Sequence, residues 1–177
     1  MSAPHSGSTL LGRELEEMVF GITVPLTEKQ ARWMPMLSFS DSLADAEARA
    51  VERFRDGSWN PGSPNTATAL ELQQAVQVSL RLTPMRRVEL VNALGTTMDA
   101  HWGVDGYFRL AGTEVPIIVT FDLTKNQDKI RLGPRKAGTD FFLTPTDFST
   151  DQALNAFGHK VAHLLRKRYK EIHHGGR

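Results

Sequence analysis

Two stretches decide the fold: Met98 to Leu110 (MDAHWGVDGYFRL) and Val115 to Leu123 (VPIIVTFDL). Here the hydrophobic period changes from that of a helix to two, and β-branched and aromatic residues collect. Side chains at that period point alternately to the two faces of a sheet, so both stretches read as strands. The tight turn Ala111-Gly112-Thr113 joins them. A long polar loop then leads to a third short strand, Asp140 to Leu143.

Outward from this block the spacing is helical. Thr9 to Phe20 carries Leu11, Leu15, Met18 and Val19 behind a Thr cap, and Ser40-Asp41 cap a helix through Leu43, Ala46, Ala50, Val51 and Phe54 that ends at Asp56-Gly57. Between them, Gly21 to Phe39 holds Pro25 and Pro35 among scattered apolar residues. Residues 58–65 (SWNPGSPN) are dense in turn formers and read as an exposed loop, either an insertion or a mobile lid. Thr68 to Leu82 resumes helical spacing, and Thr83-Pro84 opens a further helix through Met85, Val88, Val91, Asn92 and Leu94 to Gly95. After the strands, Thr150-Asp151 cap a last helix with Leu154, Phe157, Val161, Leu164 and Leu165 on its apolar side. The expected class is mixed α/β (α+β): helices at the N-terminus, a three-strand sheet and a packed C-terminal helix.

A chain of 177 residues with 40% hydrophobic content suits one core. The expected organisation is a disordered tail over 1–8 and a single domain over 9–177, helical to residue 82. With no cysteine, disulfides, thiolate zinc sites, iron-sulfur clusters and a Cys nucleophile are excluded. The N-terminus has neither a basic start nor an apolar run, and no stretch is long enough to span a bilayer. The expected compartment is the cytoplasm, with no membrane partner. A formal net charge of +1 gives no global case for nucleic acid, so the distribution of charge has to carry that argument.

Two acids stand at informative places. Asp105 sits in GVDGYF (103–108), and Asp122 closes the apolar run of IIVTFDLTKN (117–126). On adjacent antiparallel strands their carboxylates can converge. Two such oxygen ligands, a backbone carbonyl and waters suit Mg²⁺. The plainer alternatives are a turn or bulge at Asp105-Gly106 and a strand-end Asp bonded to nearby backbone.

The order helix, strand, strand, strand, helix with these acids resembles the PD-(D/E)XK nuclease superfamily over residues 84–168. The resemblance implies a restriction-endonuclease-like αβββα core and metal-dependent phosphodiester hydrolysis with Mg²⁺ or Mn²⁺. It makes Asp105 and Asp122 metal ligands, the Leu123 carbonyl a third ligand, Lys125 the lysine that orients the attacking water, and Glu89 an assisting glutamate on the preceding helix. The family's pattern leaves one residue between acid and lysine, because side chains two apart on a strand share a face. Here Thr124 occupies the lysine's place. Lys125 serves only if the strand bulges or ends at Leu123, and Lys129 is a further candidate.

Basic residues supply the expected nucleic-acid surface. Lys129, Arg131, Arg135 and Lys136 flank the acids, and Lys160, Arg166, Lys167 and Arg168 line the last helix, where a phosphate backbone can be gripped through counterion release. The alternative is a solvated helix face with cations favoured near its C-terminus. His159 and His163 have zinc-ligand spacing but no acidic companion, which favours surface histidines. Trp33, Trp59 and Trp102 read as core or loop anchors. The sequence therefore points to a metal-dependent nuclease, or a DNA-binding protein derived from one. The rival is a non-catalytic nucleic-acid-binding or protein-interaction module on the same frame, acting as a homodimer or with a protein partner.

Overall fold

The computed structural model describes residues 8–21, 43–53, 57–81, 87–133 and 139–174. Helices α1 (Ser8–Phe20), α2 (Leu43–Arg53) and α3 (Ala67–Leu80) precede strand β1 (Val88–Asn92). A short helix α4 (Thr97–Trp102) leads into β2 (Gly106–Leu110) and β3 (Ile118–Leu123). Helix α5 (Gln127–Leu132), β4 (Phe141–Leu143), a 3-10 turn at Pro145–Phe148 and the long helix α6 (Asp151–His174) complete the chain. The class is mixed α/β as expected, with four strands in the described sheet rather than three, in the order β1-β2-β3-β4. The first three form an antiparallel meander and β4 runs parallel to β3. A parallel neighbour requires a crossover, and the segment containing α5 supplies it.

The extra strand corrects the helix expected through Val88 to Gly95. Val88, Val91 and Asn92 fit helical spacing, but over five residues period two fits equally well. Long-range pairing decides, with Val88 opposite Leu110, Glu89 opposite Arg109 and Leu90 opposite Phe108. Conversely, the strand expected from Met98 begins only at Gly106. Residues 97–102 form α4, whose start is tied by Gly95 N–H donating to Asp99 Oδ2 at 2.7 Å. Gly103, at a φ of 61°, ends it in the left-handed conformation that glycine tolerates. Strand β3 likewise starts at Ile118 rather than Val115, which is 47% exposed beside Pro116.

Residues 58–65 form a loop as expected, with Ser58, Asn60, Ser63 and Asn65 exposed, but Trp59 is buried and the loop seals the outer edge of β1. Trp59 Nε1 donates to Leu90 O at 2.9 Å, and Leu90 N–H donates to Pro61 O at 3.0 Å. Two glutamines of α3 finish the edge. Gln73 Nε2 donates to Val88 O, and Gln77 Oε1 accepts from Val88 N–H. The outward backbone groups of Val88 and Leu90 are thereby engaged and not open to pairing with another chain. Trp59, 2% exposed, is thereby a core anchor.

The two faces of the sheet are unlike. Val88, Leu90, Phe108, Val119, Phe121, Phe141 and Leu143 face α1, α3 and α6 in the larger core. Here α3 and α6 approach so closely that a Cβ on Gly158 would lie 2.4 Å from Ala75 O. Thr66 caps α3 by accepting from Ala69 N–H, and its hydroxyl donates to Val19 O, tying α1 to α3. On the other face Val91, Tyr107 and Ile118 meet Ala46 and Ala50 of α2 and Met98 of α4.

Among the described residues no helix is long and apolar enough to cross a membrane. The tail 1–7, the segment with Pro25 and Pro35, Phe54, the opening at Thr83-Pro84, and Trp33 lie outside the described residues.

Candidate metal centre

Alternation along the strands sets which side chains meet. Glu89 on β1, Tyr107 and Arg109 on β2, and Thr120 and Asp122 on β3 share parity with the smaller apolar cluster on the α2 and α4 face. Asp105, just before β2, continues the row. Its N–H donates to Phe121 O at 3.0 Å and its carbonyl accepts from Ala93 N–H at 2.9 Å, so the backbone of three strands pins it beside the end of β3. Its Oδ2 accepts from Leu123 N–H at 2.6 Å.

Asp105 and Asp122 are thereby brought together, as the sequence suggested. Both are buried, at 8% and 3% exposure, and close enough that each carboxyl feels the other. Burial, then the charge of Asp122 and that of Asp99, push the Asp105 carboxyl well above the usual range. Burial also raises Asp122, opposed by the Lys129 ammonium. Lys129 Nζ forms an ion pair with Asp122 Oδ2, an oxygen that is fully buried and has no aligned hydrogen bond.

The lysine question is answered by where β3 stops. The strand ends at Leu123, and Thr124 N–H bonds Leu143 O while its hydroxyl accepts from Asn126 N–H. Lys125 then leaves the sheet and pairs with Glu14 of α1 at 3.0 Å. Lys129 reaches Asp122 because Asn126 caps α5, accepting from Asp128 and Lys129 N–H, and turns the chain back within one helical turn. That cap is legible in the sequence as Asn126 before Gln127-Asp128-Lys129, within what reads there as a structureless polar loop.

Glu89 is not on a helix. It lies on β1 and pairs with Arg109 directly across on β2. Arg109 also faces Glu47 of α2 at 3.6 Å, and Tyr107 Oη donates to the Glu47 carbonyl at 3.2 Å. Burial raises the Glu47 carboxyl, opposed by Arg109. Sequence reasoning missed this second polar group, since Glu47 is one of several acids on α2 and nothing in its spacing marks it.

Two carboxylates with hard oxygens fit Mg²⁺ or Mn²⁺, which accept one or two protein carboxylates and keep several waters. Asp122 Oδ2, buried and met by the Lys129 ammonium without an aligned hydrogen bond, is the atom for which such a cation would compete. Among the described residues no group of three or more His, Asp or Glu side chains is placed to hold a metal, so further ligands would be backbone carbonyls such as that of Leu123 and water.

The basic residues divide. Lys160, Lys167 and Lys170 are exposed on α6, although Lys160 also lies 5.0 Å over the Phe141 ring and Lys167 faces Glu171. Arg166 donates to Ser79 O on α3, and Arg168 binds Asp140 and Ile118 O. These two therefore brace the fold. Arg131 is 81% exposed with Asp128 nearby, and Arg135 and Lys136 lie outside the described residues. His159 and His163 are exposed. A cavity of about 300 Å³ beside β1, lined by Gln73, Gln74, Gln77 and Arg87, is separate from the acids. Comparison of the chain with protein-family models, curated proteins and solved structures finds no match.

Proposed function

We propose that this chain is a metal-dependent nuclease, or a DNA-binding protein derived from one, working in the cytoplasm with a site that resembles the PD-(D/E)XK arrangement. The observation that carries the reading is the buried Asp105–Asp122 pair at the end of β3, with a lysine ammonium against it. Asp105 and Asp122, with the Leu123 carbonyl, would hold Mg²⁺ or Mn²⁺. When bound, the cation supplies charge for a developing phosphorane and acidity for a bound water.

The chain's own residues set the rest. Leu123 N–H orients the Asp105 carboxylate. Burial of the pair lowers the local dielectric and strengthens its pull on a cation. Lys129, rather than Lys125, is the lysine beside the acids. Exposed Lys160, Lys167 and Lys170 offer a phosphate-backbone contact along α6.

A second reading, a non-catalytic nucleic-acid-binding or protein-interaction module, is favoured by one observation: the acids are almost wholly covered. Titration of Mg²⁺ and Mn²⁺ into wild type and the Asp105→Asn/Asp122→Asn variant, with plasmid and oligonucleotide cleavage on the same samples, separates the two. Metal binding and cleavage that both vanish in the variant support the nuclease. Metal binding without cleavage supports the second reading, and absence of binding in both proteins removes the metal centre.

A further inference from the structure

We infer that Lys129 is the resident counter-ion of the Asp105–Asp122 pair and that a divalent cation must take Asp122 from it. The inference rests on the metal-binding reading above and concerns how that site is held before it is loaded.

Three observations carry it. The ammonium of Lys129 meets Asp122 Oδ2, the one pair oxygen that is fully buried and lacks an aligned hydrogen bond. A cation joining the carboxylates therefore competes for the atom that the lysine holds. Next, the neighbouring acid is already committed, since Asp105 Oδ2 accepts from Leu123 N–H, so Asp122 is where the exchange falls.

The last observation is the element that delivers the lysine. Helix α5 is six residues long and none of them is buried. It is held at its start by the Asn126 cap, and Leu132 at its other end is 64% exposed. Lys129 itself retains 39% side-chain exposure, so its ammonium can swing to water without unpacking a core. An ammonium on a flexible four-carbon stem is a point charge suited to such an exchange. The other nearby lysine is engaged elsewhere, with Glu14. Lys129 is thus a positioning residue: it holds Asp122 in place through the ion pair, then yields it.

The test uses the full chain and two readouts besides activity. Wild type, Lys129→Gln, Lys129→Arg and Asp122→Asn are titrated with MgCl₂ and MnCl₂ by calorimetry at one fixed pH. In parallel, wild type is pulsed with acetic anhydride with and without the metal, and acetylation of Lys129 is followed by mass spectrometry. Removing the competing charge is expected to tighten metal binding by about tenfold in Lys129→Gln, and Lys129→Arg is expected to restore the wild-type value. In wild type, metal is expected to raise Lys129 acetylation several-fold while leaving Lys160 unchanged. The labelling needs no variant, so it stands even if a substitution disturbs folding. Metal affinity that is unchanged or weakened in Lys129→Gln, with unchanged labelling, overturns the counter-ion role while leaving the metal centre intact. Absence of binding to wild type overturns both.

Discussion

The two faces of the sheet are built from different chemistry. Toward α1, α3 and α6 the strands present rings, with Phe121 stacked on Phe20 and tilted against Phe108 and Phe141 at centroid distances of 5.6 to 6.2 Å. Toward α2 and α4 they present Val91, Tyr107 and Ile118 against two alanines of α2 and Met98 of α4, together with charge: the Glu47–Arg109–Glu89 set and the Asp105–Asp122–Lys129 set. Burying rings is favourable in proportion to the apolar area removed from water, whereas burying carboxylates costs free energy unless partners meet them. Both faces bury apolar residues, and the α2 and α4 face also carries the buried charged groups.

The contrast can be broken most sharply at the ring face. Phe121→Ala removes the ring at the centre of that stack and is expected to cost about 3–5 kcal/mol in denaturant unfolding. A loss below 1 kcal/mol would mean that the aromatic layer is not the stabilising one. On the charged face, Arg109→Met strips Glu47 and Glu89 of their shared partner, and the expected cost is about 1–3 kcal/mol. Restoration by a further Glu47→Gln change would identify the stranded carboxylate as the cause.

Asp105 sharpens the comparison with the opposite sign. Its folded-state carboxyl is raised well above the ordinary 3.8 by burial and by Asp122. Above that ordinary value the folded protein then holds more protons than the unfolded chain, so this group's contribution to stability falls as pH climbs toward the raised folded value. Asp105→Asn, which can still accept from Leu123 N–H, is expected to raise the metal-free melting temperature by a few degrees at neutral pH and to flatten that slope. Melting curves from pH 4 to 8 measure both. The smallest effect belongs to the ring face's rim, where Lys160→Ala, losing the cation over Phe141, is expected to cost about 0.5–1 kcal/mol.

Much of the frame was legible along the chain. The period-two runs around Phe108 and Val119, the turn at Gly112 and the Thr150 cap of α6 are local signals, and local signals survive into the fold. Val88 to Asn92 was not legible as a strand, because five residues carry both periods and only pairing with β2 distinguishes them. Trp59 sat in a turn-rich run, and its burial depends on an edge strand 31 positions away in sequence. For the candidate site, adjacency of Asp105 and Asp122 followed from the hairpin. The lysine did not, since it depends on where β3 ends and on a cap at Asn126.

The sequence by itself determined the mixed α/β class and the absence of thiol chemistry, and it placed two aspartates where one hairpin can bring them together, since composition and hydrophobic period act residue by residue. Tertiary structure alone decided that Lys129 rather than Lys125 faces Asp122, that Glu89 pairs across a sheet, and that Arg166 and Arg168 brace α6. The physical reason is that a side chain's partner is set by the register and direction of elements distant in the chain, and that only the folded chain removes from water the charges those partners must meet.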